Sequence, residues 1–120
     1  MNKFLICEDD ADMQELLNMY LKSRKHNFEI VTLGKDVKSA IDKNDFQFLL
    51  LDLNLPDMDG RDVIMQLRAD KKTEKLPIIV FSASLKAKRL MDEMDINGVL
   101  EKPFDLKELE SIIATYSEKN

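Results

Sequence analysis

Five short apolar runs, each ending in polar residues and each followed by a stretch of helical periodicity, constrain this chain more than any other feature. The first, Phe4 to Cys7, stops at Glu8, Asp9 and Asp10, which reads as a buried strand with acids at its carboxyl end. Met13, Leu16, Leu17, Tyr20 and Leu21 then recur at helical spacing, with Asp10 placed to cap the start. Phe28 to Leu33 is rich in β-branched and aromatic residues and predicts a second strand, closed by Gly34, before a weaker helical pattern of Val37, Ala40 and Ile41. The most apolar stretch, Phe46 to Leu51, runs directly into Asp52 and predicts a central strand. After turn chemistry from Leu53 to Gly60, Val63, Ile64 and Leu67 mark a third helix. Pro77 opens a fourth strand, Ile78 to Phe81, which Ser82, Ala83 and Ser84 break. Leu90, Met91 and Met94 give the faintest helical signal of the five. Gly98 to Glu101 predicts a short edge-like strand stopped by Lys102 and Pro103. Asp105 with Glu108 three residues on is a capping-box opening, and Leu109, Ile112, Ile113 and Tyr116 form the apolar face of the last helix.

Uninterrupted strand-helix alternation predicts an α/β fold, a doubly wound parallel sheet with helices on both faces, because parallel neighbours need crossover connections. In such sheets ligands bind beyond the carboxyl ends of the strands, and every polar strand end named above lies on that edge. The 120 residues are enough for one ordinary domain, expected to span 1–120, and no repeat or linker divides them. Eighteen Lys and Arg against 23 Asp and Glu leave a net charge of -5, which disfavours nucleic acid and anionic membrane as partners. One cysteine, Cys7, cannot form an internal disulfide, and no apolar run approaches a membrane span, so a cytoplasmic location is expected. The single histidine, His26, excludes multi-histidine metal sites, and three glycines cannot build a glycine-rich phosphate loop.

If the first and third strands are neighbours, Glu8, Asp9 and Asp52 meet at one edge. Their formal charge would be -3, Lys102 would reduce it to -2, and one Mg²⁺ would cancel the rest. Hard oxygen ligands favour Mg²⁺ over zinc, with Mn²⁺ as the alternative ion. Mg²⁺ held by few carboxylates leaves an Asp52 oxygen able to act as nucleophile, so phosphoryl transfer is the reaction expected, with the cation, the Lys102 ammonium and the Ser82 hydroxyl facing the equatorial oxygens.

The Glu8-Asp9 pair, Asp52 ahead of Leu-Asn-Leu-Pro-Asp-Met-Asp-Gly, Ser82-Ala83, and Lys102-Pro103-Phe104 occur in this order over residues 3 to 117. In these four motifs the chain resembles the receiver domain of two-component response regulators. The resemblance implies a flavodoxin-like (βα)5 fold with strand order 2-1-3-4-5. It implies that Asp52 accepts a phosphoryl group from the phosphohistidine of a sensor histidine kinase or phosphotransfer protein, and loses it again by slow autodephosphorylation. Asp9, Asp52 and the Asn54 backbone carbonyl would hold Mg²⁺, with Glu8 acting largely through water. Lys102 would pair with the phosphorylated aspartate, Ser82 and Ala83 would form the switching loop, and the Lys102-Pro103 bond would be cis. Many receivers carry a switching aromatic residue in the fifth strand; Val99 stands there in this chain, which leaves the Ser82 loop to carry output. The Lys86 to Val99 region, with Leu90, Met91, Met94 and Val99, and the final helix are the surface expected for a downstream effector or a phosphorylation-linked dimer.

Two other readings compete. An aspartate-nucleophile phosphatase of the haloacid dehalogenase kind needs an acid two residues beyond its nucleophile, and that position is Asn54. A receiver-like scaffold that is never phosphorylated would leave the reactive residue types unexplained. Among the remaining residues, Cys7 reads as a small buried hydrophobe, His26 as a solvated turn residue and the seven methionines chiefly as core and helix-face fillers. Asp57 and Asp59 read as loop-shaping residues, and Ser84 as a loop residue near the reaction site.

Overall fold

The structure is a computed structural model and describes residues 3–83 and 86–117. Five strands and five helices alternate: β1 (Phe4–Cys7), α1 (Ala11–Ser23), β2 (Phe28–Val31), α2 (Lys35–Lys43), β3 (Leu49–Asp52), α3 (Gly60–Arg68), β4 (Ile78–Ser82), α4 (Lys86–Glu93), β5 (Gly98–Glu101) and α5 (Leu106–Ser117). The strands form one parallel sheet in the order β2-β1-β3-β4-β5, the flavodoxin-like arrangement expected. Register pairs Cys7 with Leu51 and Leu51 with Val80, so the residues following β1 and ending β3 lie side by side.

Side chains on a strand alternate between faces, and the two halves of the core follow that period. Leu5, Cys7, Leu49, Leu51, Ile78 and Val80 pack with Val37, Val63, Ile64, Leu67, Leu90 and Ile96 on the face covered by α2, α3 and α4. Phe4, Ile6, Phe48, Leu50, Ile79, Phe81 and Leu100 pack with Leu17, Leu21, Leu109 and Ile113 under α1 and α5. A continuous run such as Leu49 to Leu51 is therefore apolar because both of its faces are covered.

Helix starts follow the local signals. Asp10 accepts from the amide of Met13 at 2.8 Å and caps α1. The α5 opening is reciprocal, with Asp105 Oδ1 accepting from Lys107 N and Glu108 Oε1 accepting from Asp105 N. Two strands are shorter than their apolar runs. β2 ends at Val31, since Leu33 and Gly34 already accept from Asp36 N and Val37 N in the first turn of α2. β3 begins at Leu49 rather than Phe46, because its partner row opens at Pro77, which accepts from Leu49 N but has no amide to return. The faintly patterned fourth helix is present over Lys86–Glu93.

Several side chains depart from expectation. His26 is paired rather than solvated: its Nε2 lies 3.0 Å from Glu110 Oε1, while Tyr20 donates to Glu110 Oε2 at 2.6 Å, tying α1 to α5. Leu90, expected on a partner surface, is 2% exposed and belongs to the core; as the inward residue of α4 it holds that helix to the sheet. Of the methionines read as fillers, Met19 and Met65 are exposed, while Met91 is exposed as its place on the expected partner surface requires. Ser84 and the last three residues lie outside the described residues.

Candidate functional site

The sheet order makes β1 the neighbour of β3, and the acids after Cys7 and Leu51 therefore converge. One carboxylate oxygen from each of Glu8, Asp9 and Asp52 lies within 4.8 Å of the others. Glu8 is fully buried and Asp52 nearly so, while Asp9 faces solvent. Both oxygens of each buried acid have a donor. Glu8 Oε2 accepts from Asp10 N at 2.9 Å and Glu8 Oε1 from Lys102 Nζ at 2.7 Å. Asp52 Oδ1 accepts from Asn54 N at 3.0 Å and Asp52 Oδ2 from Lys102 Nζ at 3.1 Å.

Lys102 reaches this position from the end of β5, two strands away. Its amide donates to Ser82 O at 3.0 Å, its bond to Pro103 is cis, and its ammonium sits 4.3 Å from the centroid of the Phe81 ring. Phe81, which sequence reasoning passed over as a core residue, thus supports the lysine by a cation-π contact; the signal available was an aromatic residue at the end of the strand next to the one delivering Lys102. Phe104 packs edge-on against Phe81 with centroids 5.3 Å apart. Ser82 is buried at the end of β4, and Ala83 is exposed beside it.

Electrostatics at this edge are strained in a defined direction. Burial raises the Glu8 carboxyl above its ordinary range and the charge of Asp52 adds to the effect, while the hydrogen bonds from Lys102 and Asp10 oppose it. For Lys102 burial works against the ammonium, but the hydrogen bonds to Glu8 and Asp52 outweigh it and raise its pKa. The Cys7 thiol is pushed up to about 12, first by burial and then by Asp57, Asp52 and Glu8, so it is a buried hydrophobe and not a thiolate nucleophile. Three carboxylates against one ammonium leave an excess of negative charge presented through oxygen atoms alone. That donor set fits a hard divalent cation.

The loop after Asp52 is folded tightly. Asn54 bridges to Asp59, Gly60 N donates to Leu53 O at 3.0 Å, and Asp59 caps α3. A Cβ on Gly60 would come to 2.7 Å from Leu53 Cα and 2.9 Å from Asp52 O, so only glycine lets the loop close against the acidic strand end. Between this loop and α4 runs a groove of about 860 Å³ whose lining includes Asp9, Asn54, Met58, Arg61, Arg89 and Glu93. Neither arginine stood out in the sequence, where each is one charge among many on a helix. Of the residues expected to meet a partner near α4, Met91 is exposed, and Met94 and Val99 are half-buried against the core.

The sequence model of the response regulator receiver domain matches residues 4–114. The chain belongs to this family. It is 29% identical over 105 residues to the chemotaxis protein CheY-3 of Vibrio cholerae, covering 85% of this chain and 81% of that protein. It is 32% identical over 107 residues to the transcriptional regulatory protein GltR of Pseudomonas aeruginosa, covering 88% of this chain but 44% of GltR. Among solved structures it resembles a sensor protein from Polaromonas sp. JS666, at 31% identity and a TM-score of 0.86, with 98% and 96% of the two chains covered. The receiver domain of sensor histidine kinase PA1611 from Pseudomonas aeruginosa, which has a magnesium ion coordinated in its active-site cleft, superposes with a TM-score of 0.86 at 25% identity over 98% of each chain. The phosphatase alternative gives way to this membership. No helix among the described residues is long and apolar enough to cross a membrane.

Proposed function

We propose that this receiver domain takes a phosphoryl group onto Asp52 from the phosphohistidine of a sensor histidine kinase or a phosphotransfer protein, and that the resulting charge change switches its contacts with a downstream protein. The observation that carries the reading is the meeting of Glu8, Asp9 and Asp52 within 4.8 Å, with Lys102 Nζ 3.1 Å from Asp52 Oδ2.

Mg²⁺ would be held by Asp9, Asp52 and the Asn54 backbone carbonyl, with Glu8 contributing through water, and would supply positive charge against the phosphoryl oxygens. The protein's own groups do the rest. Asn54 N and Lys102 Nζ fix the plane of the Asp52 carboxylate, which shortens the search for an in-line approach to phosphorus. An Asp52 oxygen forms the new P–O bond as the P–N bond to the donor imidazole breaks, and the departing nitrogen keeps the electron pair and takes a proton. Lys102, an ammonium by virtue of its two carboxylate partners, faces the charge that develops. Attack by water on the acyl phosphate returns Asp52 and inorganic phosphate.

Phosphorylation takes Asp52 from -1 to about -2 and adds acceptor oxygens. The Ser82 hydroxyl and the Ala83 backbone, at the tip of β4 beside Lys102, are the groups placed to answer it, and α4 is the element they lead into. With Leu90 buried, Met91 is the exposed apolar residue among those described on that helix and the natural contact for an effector or a second copy. The single cysteine and the likeness to a chemotaxis regulator support a cytoplasmic module.

Incubation with acetyl phosphate and Mg²⁺ followed by intact mass measurement tests the reading. Wild type should gain one phosphoryl group, and Asp52→Ala or omission of the cation should abolish the gain. Equal modification of wild type and Asp52→Ala would refute Asp52 as the acceptor, and none in wild type would refute the reading in favour of a scaffold.

A further inference from the structure

Helix α2 has no cap of its own. Gly34 stands at its N-cap and offers no side chain, yet the first turn is not left bare: Asp57, from the loop after β3, accepts from Gly34 N at 2.8 Å through Oδ1 and from Lys35 N at 2.9 Å through Oδ2. The Lys35 amide, helped by that of Gly34, holds this carboxylate below the usual range against the opposing effect of burial. The contact is close as well as polar, since a Cβ on Gly34 would lie 2.6 Å from Met58 Cγ and 2.9 Å from Met58 Sδ. Loop and helix are thus joined by two charge-assisted hydrogen bonds and by close packing of Met58 against Gly34.

That loop is the one that carries Asn54. Its base is closed by the bridge between Asn54 and Asp59 and by the bond from Gly60 N to Leu53 O, and its tip is held by Asp57. We propose that Asp57 is a positioning residue: by clamping the β3–α3 loop to the amino end of α2 it sets the place of the Asn54 backbone and so the cation affinity of the acidic edge. The inference rests on the reading that Asn54 and the acids hold Mg²⁺. Thermodynamic reciprocity adds a consequence, that filling the acidic edge tightens the Asp57 contact with α2, a helix on the opposite side of α3 from α4.

Isothermal titration of wild type, Asp57→Ala, Asp57→Asn and Lys38→Ala with MgCl2 tests it, at low salt and at about 0.5 M salt, where surface charges are screened within a few ångströms. Asp57→Ala should bind Mg²⁺ about tenfold more weakly at both salt concentrations, the loss usual when a group supporting a ligand is removed. Asp57→Asn, which keeps one acceptor oxygen, should fall between. Lys38→Ala removes the 2.6 Å ion pair with Asp70 that joins α2 to the turn after α3; it should melt at a lower temperature yet bind Mg²⁺ as wild type does. In ¹⁵N spectra the Gly34 and Lys35 amides of wild type should shift on Mg²⁺ addition. Unchanged affinity in Asp57→Ala, or a loss that vanishes at high salt and therefore reflects charge alone, would overturn the inference. Wild type that takes up no Mg²⁺ would overturn the phosphoacceptor reading and this inference together.

Discussion

Replacing Asp52 by Asn should stabilise the metal-free protein, although it removes a buried ion pair. The oxygens of Glu8, Asp9 and Asp52 lie within 4.8 Å of one another, and Lys102 Nζ is 3.1 Å from Asp52 Oδ2. At an effective dielectric constant of about 20, these separations correspond to about 3.5 kcal/mol of repulsion between Glu8 and Asp52 and about 5 kcal/mol of attraction to Lys102. Repulsion from Glu8 therefore cancels most of what the lysine supplies, and Asp9, screened by water, adds a smaller repulsion. Asp52 is 4% exposed, so a neutral amide also avoids the cost of holding a charge away from water. Asn keeps the oxygen that accepts from Asn54 N, and Lys102 retains Glu8 as its partner. The pairwise charge energies alone leave about 1.5 kcal/mol in favour of the aspartate, but relief of the several kcal/mol that a buried charge costs exceeds this, for a net gain on the order of 1 kcal/mol, or roughly 4 °C in Tm for a domain of this size. Magnesium should reverse the ranking. A ligand at 100 times its Kd stabilises its protein by about 2.7 kcal/mol, and the variant, one carboxylate short, should forgo most of that. Thermal melts followed by circular dichroism, in EDTA and in excess MgCl2, measure both numbers. Asp52→Asn melting below wild type in EDTA, or gaining as much from Mg²⁺ as wild type does, would refute the electrostatic argument.

Glu110 predicts an acid-labile contact between α1 and α5. Burial raises its pKa, but hydrogen bonds from Tyr20 and His26 outweigh that and leave it below its ordinary value of 4.5. A depressed carboxylate contributes stability that is present above 4.5 and lost as pH falls through the folded value. Urea midpoints measured from about pH 3 to 6 should fall less steeply for Glu110→Gln than for wild type, and parallel curves would count against the clamp. Arg68 is a structural keystone far from the acidic edge: its side chain is 13% exposed and donates to the carbonyls of Asp95, Thr73, Glu74 and Leu76 at 2.8, 3.1, 3.0 and 2.7 Å. Arg68→Met should cost about 2–4 kcal/mol in denaturant unfolding while leaving phosphorylation by acetyl phosphate intact, and a cost under about 0.5 kcal/mol would show that water replaces those bonds without loss.

Much of this molecule was legible in order of residues alone, for a reason that is local. A strand covered on both faces must be apolar throughout, and a helix covered on one face must be apolar at every third or fourth position. Phe4 to Cys7, Ile78 to Phe81 and the Leu109, Ile113 stripe state their element types without reference to anything distant. The polar residue that ends each run then marks the edge where a ligand can reach the sheet, which is why Glu8, Asp9, Asp52, Ser82 and Lys102 could be picked out together. The α1 and α5 caps were equally readable, because Asp10 and Asp105 bond to amides within three residues.

Tertiary structure decided what depends on which distant segments become neighbours. That β1 lies beside β3 is a property of the sheet order, and without it three acids would be scattered charges rather than a crowded set. Helical spacing places Leu90 and Met91 on adjacent positions with similar hydrophobicity, and packing alone sends the first inward and leaves the second in water. His26 looked solvated because its partner is 84 residues away. Asp57 was read as a loop residue, and so it is; but the amides it satisfies belong to another helix 22 and 23 residues earlier, and hydrogen bonds across such separations leave no period in a sequence.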